Sequence, residues 1–148
     1  MDKVDYDILK YLNKNSRSSA SEISRRINMS IPAVAERIRK LEDSRTIEAY
    51  TIKVNREKSN LKLMAFINVN LDCATSIEDF RAEIVKYTAV LECHHIAGQS
   101  DYLLKVLLED TKALENFITN KLKQIKGVRS SNTTIVLSTL KENLNVFD

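Results

Sequence analysis

The sequence predicts an α+β chain: an N-terminal three-helix winged helix-turn-helix domain, a strand linker, and a C-terminal ferredoxin-like βαββαβ domain. Three observations predict it. Apolar residues recur every three or four positions over the first 44 residues, which is the helical period. The period changes to two at Ile47, which is that of a strand. Strands and helices then alternate to the C-terminus in the order of a split βαβ motif. The expected boundaries are 1–46 for the helical domain, 47–60 for the linker and 61–148 for the second domain.

The first helix is expected over about Lys3–Asn13, with Val4, Ile8, Tyr11 and Leu12 on one face. "NKNSRSS" breaks it with polar turn formers. The second covers about Ala20–Ile27, with Ala20, Ile23 and Ile27 inward. Asn28 tolerates the left-handed conformation that ends a helix, and Ser30 is a good N-cap. The third helix lies within "SIPAVAERIRKLE". Pro32, the only proline, sits in its first turn, where no intrahelical N–H is needed. Ile31, Val34, Ile38 and Leu41 form the stripe expected to be buried.

"IEAYTIKVN" alternates Tyr50, Ile52 and Val54 against Ala49, Thr51 and Lys53, so the linker reads as a strand. In 61–71, Leu61, Leu63, Ala65, Ile67, Val69 and Leu71 share one face. A helix follows over 76–87, capped by Ser76, with Ile77, Phe80, Ile84 and Tyr87 in line. Strands over 90–98 and 101–109 flank a short loop, Gly98-Gln99-Ser100. The helix beginning at Thr111 places Leu114, Phe117, Ile118, Leu122 and Ile125 inward and stops at Gly127. The last strand is expected over 128–140. With both helices on one side of the sheet, the other side is expected to be an uncovered apolar face, and hence a homodimer surface.

The net charge is +3, unevenly spread. Residues 1–60 hold thirteen Lys/Arg against nine Asp/Glu, and within 10–40 the count is eight against two. Such an excess attracts a polyanion. Two short helices separated by about three residues are the helix-turn-helix arrangement. On the third helix Ala33, Arg37 and Lys40 share a face turned away from the apolar stripe, with Ser30 at its leading edge. Small residues there let a backbone approach a groove, and the arginine fork suits phosphates and guanine edges. Arg17, Arg25 and Arg26 are placed to hold phosphates from the flanks. Glu36 lies close to the same face, where it repels phosphate unless it accepts from a cytosine amino group or pairs with Arg39 or Lys40.

The sequence resembles the Lrp/AsnC, or feast/famine, transcriptional regulators over nearly its whole length. Asp2-x-x-Asp5-x-x-Ile8-Leu9 matches the opening of that family, and Arg17-x-Ser19 the turn before its second helix. Met29-Ser30…Val34-x-x-Arg37-Ile38-x-x-Leu41-Glu42 matches its recognition helix, and Ile47-x-x-Tyr50-Thr51 its linker strand. Gly98-x-x-Asp101-Tyr102 and Thr133-x-Ile135-Val136-Leu137 match its C-terminal regulatory domain. The resemblance implies double-stranded DNA as partner. It also implies a homodimer that assembles further, to a tetramer or octamer. An amino-acid effector is implied between dimers, at Gly98, Gln99, Ser100, Asp101, Tyr102 and Thr133. A loop glycine can expose backbone N–H groups to a carboxylate, and Asp101 can face an ammonium. The family usually has glycine where Arg45 stands. A left-handed arginine costs on the order of 1 kcal/mol, so a differently shaped turn is expected there.

Other classes have little support. "ECHHIAG" puts Cys93 and His95 on one face of a strand, but the spacing is not that of a metal site, and Cys73 lies apart. No nucleophile motif, phosphate-binding glycine loop or paired acids suggest catalysis, and no cofactor is called for. No apolar run approaches a membrane span, and the opening residues do not read as a signal peptide, so a soluble cytoplasmic protein is expected. Two alternatives stay open: a DNA-architectural protein of the same fold with little sequence preference, and a small-molecule-binding oligomer without DNA function.

Overall fold

The computed structural model describes residues 1–72 and 77–147. Cys73 and the Ser76 cap lie outside the described residues. The chain divides into two units. One comprises residues 1–53 and 141–148, the other residues 54–140.

In the first unit, α1 (Lys3–Lys14) starts at a reciprocal capping box. The Asp5 N–H donates to Asp2 Oδ1 and the Asp2 N–H to Asp5 Oδ2, both at 2.9 Å, satisfying two N–H groups that the first turn leaves orphaned. α2 (Ala20–Ile27) starts the same way with Ser19 and Glu22, and ends at Asn28 with φ 55°. α3 (Ile31–Asp43) is capped by Ser30, with Pro32 in its first turn. Ile8, Leu9, Leu12, Ile23, Val34 and Leu41 form the buried core. Leu9 faces it as well as the expected stripe of α1. Ile31 does not. It is 49% exposed, in the first turn of α3.

The exit of α3 differs from the sequence expectation. Arg45 takes the left-handed conformation, φ 55°, so the turn has the shape a glycine would give it. Its N–H donates to the Glu42 carbonyl at 2.9 Å, and the Ile47 N–H donates to the Leu41 carbonyl at 3.0 Å. These bonds satisfy the last carbonyls of the helix and hold arginine in a conformation it otherwise avoids.

Residues 47–60 do not form the expected strand. Alternation supplies a strand pattern, but a strand also needs a hydrogen-bonded neighbour, and this chain pairs none with the segment. Tyr50, Ile52 and Val54 are exposed. Tyr50 donates its hydroxyl to Glu42 at 2.8 Å. Partial burial and that carboxylate push the phenol up to about 12.

The second unit is one four-stranded antiparallel sheet of β1 (Leu63–Leu71), β2 (Val90–His95), β3 (Tyr102–Leu108) and β4 (Val128–Ile135), in the order β2-β3-β1-β4. Every neighbouring pair is antiparallel. Two helices, α4 (Ile77–Ile84) and α5 (Thr111–Asn120), cover one face. This is the ferredoxin-like arrangement. Ala65, Ile67 and Val69 of β1 and Tyr102, Leu104 and Val106 of β3 pack there against Phe80, Ile84, Leu114 and Phe117.

The opposite face is only in part the apolar surface expected, with Met64 beside Leu107 on it. Cross-strand register puts Phe66 beside Lys105 and Thr134, and Asn68 beside Leu103 and Asn132. Lys105 donates to Glu92 of β2 at 3.0 Å and is only 14% exposed. β4 ends at Ile135 rather than at 140, with Leu137 97% exposed. Residues 141–147 group with the helical unit. Phe147 packs edge-on to Tyr6 with ring centroids 5.2 Å apart, and Asn145 donates to Asn13 at 3.0 Å.

Candidate nucleic-acid interface and effector site

α3 presents Ala33, Glu36, Arg37 and Lys40 along one side. With Met1, Asp5, Leu41, Ser44 and Thr46 they line a concavity of about 500 Å³. The charges on this side are largely partnered. Glu36 accepts two bonds from Arg39, at 2.8 and 3.0 Å, and lies 3.8 Å from Lys40. Arg39 holds the Glu36 carboxyl below its usual range. Arg39 also reaches Asp43 at 2.8 Å.

Arg37 is not the free cation its position on the helix suggests. Its Nη1 donates to Asp2 Oδ2 at 2.8 Å and to Asp5 Oδ1 at 2.7 Å. Asp2 and then Asp5 stabilise the guanidinium charge and raise its pKa. Periodicity within one helix gives no sign of this contact, because the partners stand 32 and 35 residues away. The signal was present only as the Asp2-x-x-Asp5 pattern of an N-terminal capping box.

Lys40 is exposed beside these pairs. Ser30 accepts from the Ala33 N–H at 3.4 Å, so its oxygen serves the cap. The Ser19 oxygen likewise accepts from the Glu22 N–H, at 3.2 Å. Arg25 donates to Ser21 at 3.2 Å. Arg17 and Arg26 are exposed, and among the described residues their side chains make no ion pair. The flanking arginines thus remain available for phosphate, while the central one is engaged.

The expected effector residues separate. Gln99 and Ser100 line a concavity of about 420 Å³ with Ile96, Asn68, Asn70 and Asn132. It lies at the loop end of the open sheet face. Gly98 is in the same loop, and a Cβ added there would meet nothing within 4 Å. Among the described residues nothing therefore demands glycine at this position.

Asp101 is committed to the fold. Its Oδ2 accepts from the Leu71 N–H at 2.7 Å, and its own N–H donates to the Val69 carbonyl at 3.0 Å. Tyr102 and Thr133 are not in the concavity. Tyr102 is 2% exposed on the helix-covered face, beside Phe80, and its hydroxyl accepts from Arg81 Nε at 2.7 Å. His95 stacks on its ring at 5.0 Å. Thr133 lies opposite Ile67, so it points to that same covered face. Side chains alternate along a strand, and both residues fall on the face opposite to Asn68 and Asn132. Asn68, Asn70 and Asn132 were missed, although the polar members of "INVN" alternate against the buried Ile67 and Val69.

This arrangement can receive a small polar molecule. Among the described residues the lining offers amide and hydroxyl donors and acceptors and no charged side chain.

Comparison with known proteins agrees with both units. Residues 1–48 match the family model described as winged helix-turn-helix DNA-binding, and residues 64–146 match the Lrp/AsnC ligand binding domain. The leucine-responsive regulatory protein of Salmonella typhimurium is 31% identical over 145 residues, covering 97% of this chain and 88% of that protein. A Neisseria meningitidis transcriptional regulator solved with L-methionine has a TM-score of 0.95 at 32% identity, covering 99% of this chain and 96% of its own. A feast or famine regulatory protein from M. tuberculosis, also complexed with L-methionine, has a TM-score of 0.91 at 26% identity and covers 99% of each chain. With both domain models matched in order and relatives this similar along the full length, the chain belongs to the Lrp/AsnC family of transcriptional regulators.

Proposed function

We propose that the helical unit binds double-stranded DNA with α3 in the major groove, and that a homodimer, assembling further, sets two such helices roughly 34 Å apart. The observation that carries this reading is the build of α3. Its start is fixed by Ser30 and Pro32, its exit by the left-handed Arg45, and its exposed side carries Ala33 and Lys40. Arg17, Arg25 and Arg26 supply phosphate contacts from the flanks. Base reading falls to Ser30, Ala33 and Lys40, with Glu36 turned toward Arg39. A cytoplasmic, nucleoid-associated location goes with this role, and no helix among the described residues is long and apolar enough to cross a membrane.

Binding of the protein to its own promoter region at several salt concentrations tests the reading. Replacing Arg25 and Arg26 together with alanine is expected to weaken binding and to reduce the salt slope by about two for each protomer bound. An unchanged slope in a folded variant removes these arginines from the interface. The ratio of specific to non-specific affinity separates a regulator from an architectural protein.

The loop at Gly98–Ser100 receives an amino acid in this proposal. Supporting it are the uncharged polar lining and the L-methionine bound to two family members of known structure. Because a Cβ at Gly98 meets nothing, Gly98→Ala should fold normally and keep its stability. Its mass in solution is expected to lose any response to a panel of amino acids that the unaltered protein shows. A retained response places the ligand elsewhere.

A further inference from the structure

We infer that Arg37 is a positioning residue. It ties the start of α1 to the middle of α3, sets the angle at which α3 is presented, and makes no contact with DNA. This rests on the reading of the helical unit as DNA-binding.

The geometry carries the inference. Asp2 and Asp5 have four carboxylate oxygens between them, and all four are committed. One oxygen of each accepts the other's backbone N–H in the capping box. The remaining two accept from a single nitrogen, Arg37 Nη1. The box that begins α1 therefore doubles as the receptor for a side chain of α3. The contact spans more than thirty residues, so it constrains how the two helices pack and not only how one of them begins. Arg37 is 31% exposed and Asp5 17%, which places the pair at the seam between the helices and not on the outer surface.

Charge points the same way. One guanidinium between two carboxylates leaves these three side chains with a net negative charge, although Lys40 and Met1 line the same concavity. A phosphate brought there would be repelled, and Arg37 could meet it through Nη1 only by giving up two short charge-assisted bonds. Lys40 lies one turn further along and has only the long approach to Glu36. The arginine expected to read DNA is thus the one that aims the helix, and the lysine beyond it faces outward.

The test is a set of variants measured for specific and non-specific DNA affinity at several salt concentrations: Arg37→Gln, Arg37→Lys, Asp2→Asn with Asp5→Asn, and the triple Arg37→Gln with both asparagines. Asparagine keeps the caps. Charge changes alone move specific and non-specific affinity together, so their ratio reports aim. Arg37→Gln and the double asparagine variant should each lower the ratio by about two- to tenfold, and the triple variant should be no worse than either alone. Lysine should restore the ratio, since one nitrogen makes both bonds. The salt slope per protomer should stay the same in Arg37→Gln, and a fall of about one would overturn the inference by marking a lost phosphate contact.

A ratio that rises when the aspartates are removed would overturn the inference, because it would mean that a freed Arg37 binds DNA better. So would an unchanged ratio in Arg37→Gln. If Arg37→Gln proves unfolded, the lysine and double asparagine variants still decide. Absence of any DNA binding by the unaltered protein would instead strike at the reading of the helical unit.

Discussion

Along α3 every acidic side chain is held by a partner: Glu36 by Arg39, Asp43 by the same arginine, and Glu42 by the Tyr50 hydroxyl. The loop end of the open sheet face is built the other way. Asn68, Asn70, Asn132, Gln99 and Ser100 line it, and among the described residues no charged side chain does. The first surface is rich in charge that is already spent, so counting its basic residues overstates what it can offer DNA. The second is uncharged, yet its amides can donate and accept, so a zwitterion can be held there without a buried countercharge. A surface rich in charge and a surface rich in unspent hydrogen-bonding groups are therefore not the same thing in this protein.

The largest expected effect comes from removing the support of one region while leaving the other. Phe117 is fully buried under the sheet, and Phe117→Ala should cost about 3–5 kcal/mol. Hydrogen exchange should show the sheet amides losing protection while α1–α3 keep theirs. Loss of protection in both units together would mean that they do not fold as separate bodies. The reciprocal variant, Leu12→Ala in the helical core, should cost about 2–5 kcal/mol and expose α1–α3 first.

A smaller effect, of opposite sign, is expected at the exit of α3. Arg45 holds φ 55°, which glycine adopts freely. Arg45→Gly relieves about 1–2 kcal/mol of strain but loosens the unfolded chain, leaving a net gain of about 0.5–1 kcal/mol in urea unfolding. A loss of stability would show that the arginine side chain does more for the fold than its backbone costs.

The smallest effect is the response to acid. Asp2 is held below its ordinary value chiefly by the Asp5 N–H it accepts from and then by Arg37, and Glu22 chiefly by the Ser19 N–H. In the sheet unit Glu92 is lowered chiefly by Lys105. A carboxyl depressed in the folded state stabilises fully above its unfolded value, near 4, and the contribution is lost as pH falls through the lower folded value. Asp2→Asn and Glu22→Gln should flatten the acid limb of unfolding for α1–α3, and Glu92→Gln should flatten it for the sheet. An acid limb unaltered in these variants would assign the pH dependence to other carboxyls.

Much of the fold could be read from the sequence. The starts of α1, α2 and α3 are written in Asp2, Ser19 and Ser30, and the buried face of β1 in the alternation of Ala65, Ile67 and Val69. These signals are local, since a cap reaches three residues and a strand face repeats every two. The same rule places Tyr102 in the core, in step with Leu104 and Val106. The expectation that it belongs with the effector loop comes from family resemblance, and in this chain its side chain lies on the helix-covered face instead. The linker failed for the reverse reason: "IEAYTIKVN" has the period of a strand, and period alone supplies no hydrogen-bonding neighbour.

The sequence by itself determined which segments coil, which extend and which side of each is apolar. Only the tertiary structure decided that Arg37 answers to Asp2 and Asp5, that Asn132 stands beside Asn68, and that Phe147 returns to Tyr6. Periodicity describes a helix or strand relative to its own axis. Which side chains meet across elements depends on how those axes pack, and that is settled by burying all the apolar faces at once.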